Sequence, residues 1–260
     1  MLRNIVLIYI ALSLSGCTII NAVIAMNKST DHFIPLEADS RVVYETGAES
    51  VAKTVAGKLA FALHTVEQQQ FRKFTTPVVI HVCSSVESFT AYCVQSRAVG
   101  CVLNERLFLS PNVKHRVKAV LTHELSHLHM EQQLGMLAWY SNVPVWFKEG
   151  LAVYVSGGGG AERVSADAAI KAINLGLSFT PDAHGSLISH KSASSYGLKP
   201  HMFYRQASLF VEYLHKKDIT GFKELLLALA DGDAFDHAVS TAYGMPLRGI
   251  WQNFIQQLKA

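Results

Sequence analysis

An α+β fold is what this chain of 260 residues predicts, and three observations carry the prediction. Short β-branched runs bounded by turn residues lie in the first 112 residues. Apolar residues at three- and four-residue steps dominate the remainder of the chain. No internal repeat and no second long apolar span interrupts that order. Residues 47–70 place Val51, Val55, Leu59, Ala62, Leu63 and Val66 on one helical stripe. Pro77 to Val82 is a compact strand run. Val86 to Cys93 reads as a short helix. Ala98 to Leu103, a turn at Asn104-Glu105, and Arg106 to Leu109 form a hairpin. Residues 113–131 align Val117, Val120, Leu121, Leu125 and Leu128 in a helix. Pro144 opens a second helix over Val145 to Val155, stopped by Gly157 to Gly160. Further helices are expected over 164–175, Tyr204 to His215, Gly221 to Leu229 and Leu247 to Leu258, with 176–200 as a loop.

Composition narrows the class. Half of the residues are apolar and 17% are charged, ample for a large core. The net charge is only +3, and no Lys/Arg cluster is present, so the chain lacks a nucleic-acid footprint. Arg3 precedes an apolar run from Ile5 to Leu12 that is too short to span a membrane, which is the order of a secretion signal. Leu14-Ser15-Gly16-Cys17 closes it and resembles the bacterial lipoprotein lipobox. That resemblance implies that Cys17 becomes the lipidated first residue and that acyl chains tether a water-exposed domain. Thr18 stands where an Asp would favour retention at the inner membrane, so the outer membrane, facing the periplasm, is the expected address. Of the remaining cysteines, Cys83, Cys93 and Cys101, the close pair Cys93 and Cys101 is the preferred disulfide in an oxidising compartment. Their spacings do not fit a cysteine metal site.

The chemistry lies in His123-Glu124-Leu125-Ser126-His127. On a helix His123 and His127 are one turn apart on one face, so both imidazoles reach one ion. Glu124 lies beside them, placed to take a proton from an activated water. A catalytic zinc site needs a third protein ligand and an open position. A His six residues beyond the second is excluded, because Met130 and Gln133 occupy the positions that pattern requires as Gly and His. His129 points about 200° round the helix from His127 and is read as an ordinary histidine. The better candidate is Glu149, in the next helix, which can return antiparallel to the first.

H-E-x-x-H followed by Pro144-Val-Trp146-Phe-Lys-Glu149-Gly150-Leu-Ala152 is similar to the gluzincin metallopeptidases, the superfamily of thermolysin and its aminopeptidase relatives. It looks most like their compact bacterial "peptidase MA-like" branch. Tyr204-Arg-Gln-Ala207-Ser-Leu-Phe210-Val211-Glu-Tyr213-Leu214 resembles that family's Y-x-x-A-x-x-F-V-x-Y-L helix, and the stretch from Ala234 to Leu258 its closing helices. The resemblance covers roughly residues 75–258. It implies one Zn²⁺ bound by His123, His127 and Glu149, with Glu124 as general base. It also implies that Tyr204 stabilises the oxyanion, with His201 and Tyr196 as alternates. The fold expected is then a small N-terminal sheet with flanking helices packed on a mostly helical, thermolysin-like catalytic part. Residues 1–16 are read as signal peptide and 17–40 as lipidated Cys and tether. Residues 41–260 are read as one peptidase domain, strand-containing over about 41–112 and helical over about 113–260.

Two departures limit what is carried over. Where the family places an acidic residue four positions after the Glu ligand, to orient a zinc-bound His, this chain has Val153. The partners of His123 and His127 are therefore not assigned by sequence. The aminopeptidases' G-x-M-E-N motif is also absent; Ala98-Val99-Gly100-Cys101-Val102 takes its place as an edge strand able to pair with a peptide. The reading is thus a lipid-anchored zinc metallopeptidase acting on a peptide or protein of the cell envelope, with room for a regulatory protein partner or gating by the Gly157 to Gly160 loop. Its rivals are a hydrolase of cell-wall peptides using the same site and a non-catalytic envelope lipoprotein that uses the fold for binding or assembly.

Overall fold

The computed structural model describes Asn21 and residues 24–94, 98–185 and 191–259. The signal-peptide and Cys17 expectations lie outside these residues, as does 186–190 of the expected loop. Among the described residues no helix is long and apolar enough to cross a membrane. The architecture is α+β, and the chain divides into two compact units.

The first unit takes in the described residues up to Ala56 together with Val79–Lys114. Its strands are β1 (Ile34–Leu36), β2 (Asp39–Tyr44), β3 (Ile80–Val82), β4 (Gly100–Leu103) and β5 (Arg106–Leu109). Helix α1 (Glu49–Gln70) follows β2 and continues into the second unit, and α2 (Val86–Cys93) follows β3. The sheet order is β1-β2-β3-β5-β4, with β2, β3 and β5 parallel and the outer strands antiparallel. Strand pairing begins at Ile34, inside the stretch read from sequence as a lead-in. The two strands there are short and bury few side chains, so they leave little alternation to read. The hairpin between β4 and β5 turns at Asn104 and Glu105, both with positive φ (53° and 54°), which matches the right-handed twist of the flanking strands. Ser85 caps α2 by accepting from the Ser88 N–H. A disulfide joins Cys93, at the end of α2, to Cys101 on the edge strand β4. Phe33, Phe89, Tyr92 and Phe108 fill the core beside them.

The second unit holds Gly57–Val78 and the described residues from His115 onward. Its helices after α1 are α3 (Val117–Leu134), α4 (Met136–Asn142), α5 (Val145–Val155), α6 (Ala166–Asn174), α7 (Pro200–Lys217), α8 (Ile219–Ala230), α9 (Phe235–Tyr243) and α10 (Leu247–Gln257). Helix α3 is buried on nearly every side. Val117, Val120, Leu121, Leu125 and Leu128 pack inward. Its polar far side is held by the last residue of α1 and the segment that follows it. Gln70 Nε2 donates to Ser126 Oγ (2.5 Å), His129 Nε2 contacts the Arg72 carbonyl (3.0 Å), and Gln133 Nε2 donates to the Lys73 carbonyl (2.8 Å). His129 is thus a core histidine, packed edge-on against Phe74. Helix α4, absent from the sequence expectation, fits between Gly135 and Pro144. One buried side chain, Trp139, anchors it, which is too little for a periodic pattern.

Helices α5 and α7 meet at Gly150. A Cβ there would lie 2.7 Å from the Ala207 carbonyl oxygen and 2.8 Å from its carbon, both backbone atoms that cannot swing aside. Gly150→Ala should therefore destabilise the unit by about 1–3 kcal/mol, the usual cost of forcing extra volume into a packed interior. Urea unfolding of the variant checks this; an unchanged midpoint would mean that the two helices separate freely.

Candidate metal centre

Three side chains from two helices converge. His123 and His127 stand one turn apart on α3, and Glu149 lies in the middle of α5. His123 Nε2 and His127 Nε2 are 3.1 Å apart. Glu149 Oε2 lies 3.5 Å from the first and 3.8 Å from the second. Donor atoms about 2.0–2.2 Å from a tetrahedral zinc are about 3.3–3.6 Å from one another, so these separations suit a single small cation. The donor set is two imidazoles and one carboxylate, with no further described side chain in the group.

The electrostatics express the same demand. Burial alone would depress the His123 pKa, but the Glu149 carboxylate, with Glu124 and the Gly159 carbonyl, raises it to about 9. His127 is depressed to about 4, first by burial and then by His123 and Lys148. Burial pushes the Glu149 carboxyl up, but His127, His123 and Lys148 outweigh it and hold the pKa below the usual value. Glu124 is raised to about 7 by burial and by Glu149, against the pull of His123. Two carboxylates and two imidazoles in one buried place thus draw a positive charge into the site. A proton on His123 meets part of that demand; a divalent ion would meet it fully.

Orientation of the first imidazole comes from the backbone. His123 Nδ1 is 2.9 Å from the Gly159 carbonyl oxygen, so Nδ1 carries the hydrogen and Nε2 turns toward Glu149. This is the partner that the sequence left open at Val153. It left no side-chain signature, only the run Gly157 to Gly160, read there as a helix stop. The glycines are needed: a Cβ on Gly160 (φ +87°) would come within 3.0 Å of His123 Cε1, and one on Gly159 within 2.7 Å of the Ala119 carbonyl oxygen.

Lys148, beside Glu149, carried no sequence signal. It is buried, with its ammonium 4.7 Å from the ring centres of both Trp139 and Tyr140. Burial lowers its pKa to about 8, opposed by Glu149 and Glu131. Its concealment depends on α4, which the sequence did not reveal.

Tyr204 lies in the first turns of α7, half-buried. Its phenol is raised above the ordinary range by the charge of Glu149, by burial and by Glu124, in that order, and so stays neutral. Of the two alternates, Tyr196 is committed elsewhere, donating to Asp182 Oδ1 at 2.8 Å and stacking on Phe203. His201 faces Glu162, 4.0 Å from Nδ1 to Oε2. Cys17 lies outside the described residues, and Cys93 and Cys101 belong to the first unit.

The arrangement can hold a divalent cation against a buried carboxylate and a neutral phenol, which is chemistry suited to hydrolysis. No curated protein matches the chain. The profile of the Peptidase MA superfamily matches residues 108–259, which take in α3, Glu149, the glycine turn and Tyr204. With more than half of its length matched, and with the paired histidines and the following glutamate gathered on neighbouring helices, the chain belongs to the Peptidase MA superfamily.

Proposed function

We propose that this chain is a zinc metallopeptidase, held by lipid at Cys17 on the periplasmic face of the outer membrane, that hydrolyses peptide bonds in envelope peptides or proteins. The observation that carries the reading is the convergence of His123 Nε2, His127 Nε2 and Glu149 Oε2 at separations suited to one ion, with Glu124 buried alongside. The anchor and the address rest on Leu14-Ser15-Gly16-Cys17 and Thr18.

His123, His127 and Glu149 would hold the ion, which would supply a Lewis acid that acidifies water and polarises the scissile carbonyl. The chain's own groups account for the rest. Glu124 follows His123 in sequence, is buried and feels the charges of His123 and Glu149, and its carboxylate takes the proton of the attacking water and passes it to the leaving amine. Burial beside the metal ligands keeps that carboxylate out of bulk water, where the proton would otherwise be lost to solvent. The neutral Tyr204 phenol donates a hydrogen bond to the oxygen on which negative charge develops. The Gly159 carbonyl fixes the His123 ring, so that Nε2 needs no reorientation when the ion binds.

The full chain, purified in detergent, should contain near-stoichiometric zinc. It should cleave at least one member of a panel of unfolded proteins, short peptides and muropeptides. Removal of zinc with a chelator should abolish cleavage, and added Zn²⁺ should restore it. Absence of zinc would overturn the metal assignment. Zinc without cleavage of any panel member would transfer the function to the non-catalytic binding class.

A further inference from the structure

We propose that Arg205 is a positioning residue for the metal centre, acting through the glycine turn that orients His123. The inference rests on the zinc reading of the site and concerns a residue on α7, four helices after the α3 that carries both histidine ligands. Arg205 follows Tyr204 on α7. Its guanidinium reaches the segment after α5, where Nε donates to the Val164 carbonyl (2.9 Å) and Nη2 to the Ala161 carbonyl (3.3 Å). The same Nη2 lies 3.1 Å from where a Cβ on Gly158 (φ +109°) would stand, so the fork lies against the turn itself.

The turn is fixed from both sides. On the side of α5, the Gly158 N–H donates to the Val153 carbonyl (2.8 Å) and the Gly159 N–H to Ser156 Oγ (2.9 Å). On the far side, Ala161 N–H returns to the Gly158 carbonyl (3.1 Å), and Arg205 holds the carbonyls of Ala161 and Val164. Between these supports the Gly159 carbonyl meets His123 Nδ1 at 2.9 Å. Glycine itself supplies no side-chain packing to resist rotation of these peptides, and its backbone freedom is the largest of any residue. The external fork adds the side-chain restraint that the glycines lack. A lysine would replace it only in part, since it offers a point charge where two carbonyls are held in a fixed geometry.

Partners that orient a metal-bound histidine typically change metal affinity about 10–100-fold when removed. Arg205→Ala in the full chain should raise the zinc dissociation constant by about 10-fold, the low end of that range because Arg205 acts on His123 only through the turn, read by competition with a chromogenic chelator. The visible spectrum of the Co²⁺-loaded protein should shift, reporting altered ligand geometry without any need for turnover. Low concentrations of guanidinium chloride should return the affinity toward that of the unaltered protein. Arg205→Lys should show a smaller loss in the same direction, and it decides the matter where the Ala variant does not fold. Arg163→Ala, which removes an exposed charge from the same segment, should leave zinc affinity unchanged. Zinc affinity and Co²⁺ spectrum equal to the unaltered protein in the folded Arg205 variants, even with lowered thermal stability, would overturn the proposal and leave Arg205 a packing residue. An unaltered chain that binds no zinc would instead remove the metal reading itself, so the two failures are distinguishable.

Discussion

Glu124→Gln should retain metal content near that of the unaltered protein while kcat falls by about 10²–10⁴-fold, the range supplied by a positioned general base. The substitution conserves shape and volume, which matters because Glu124 is buried and a shorter side chain would leave a gap. It removes the lone pair that accepts the proton and nothing from the set of ligand atoms, since those belong to His123, His127 and Glu149. It also removes one of the two carboxylates that draw positive charge into the site. Zinc affinity should therefore weaken slightly rather than vanish. A steady-state assay beside a metal analysis separates the cases. Full activity in the Gln variant would refute the base assignment, and loss of zinc with activity would make Glu124 part of the metal-holding set.

The parts of this centre legible in the sequence are those written in side chains at fixed spacing. His123 and His127 lie four apart within a helical pattern, beside its apolar stripe, so one helical turn places both on one face. Glu149 required a second helix, and Pro144 and the glycine run marked its two ends. What escaped was carried by backbone or by neighbours distant in sequence. The Gly159 carbonyl orients His123, and a carbonyl has no residue type. Arg205 and Lys148 look like solvated helix charges until the elements around them are placed. Lys148 is hidden by α4, a seven-residue helix with one buried anchor. Gly150 could be seen beside Glu149, but its reason could not. It is the Ala207 backbone, on a helix more than fifty residues later, that leaves no room for a Cβ.

Trp146→Ala should cost about 3–5 kcal/mol of stability, the range for removing a large aromatic side chain from a packed interior. The indole is fully buried, with ring centres of Phe147, Phe179, Phe210 and Phe235 at 5.2–6.0 Å. Its N–H donates to the Asp182 carbonyl at 2.8 Å. Truncation leaves a cavity whose aromatic walls come from four different places in the chain, so no single element can move in to fill it. Total stabilities of about 5–15 kcal/mol make such a loss a large share of the whole. The effect is best measured by denaturant unfolding of the metal-free protein, because a bound ion adds stability by mass action and would mask part of the difference. Trp146→Phe should lose less, keeping most of the packing but not the hydrogen bond to Asp182. The same residue stands three positions before Glu149, one turn along α5, and so anchors the helix that presents the carboxylate. Zinc affinity should therefore drop in Trp146→Ala together with stability, and recover in Trp146→Phe. If Trp146→Ala kept its unfolding midpoint, the aromatic cluster would not be what holds α5 in place.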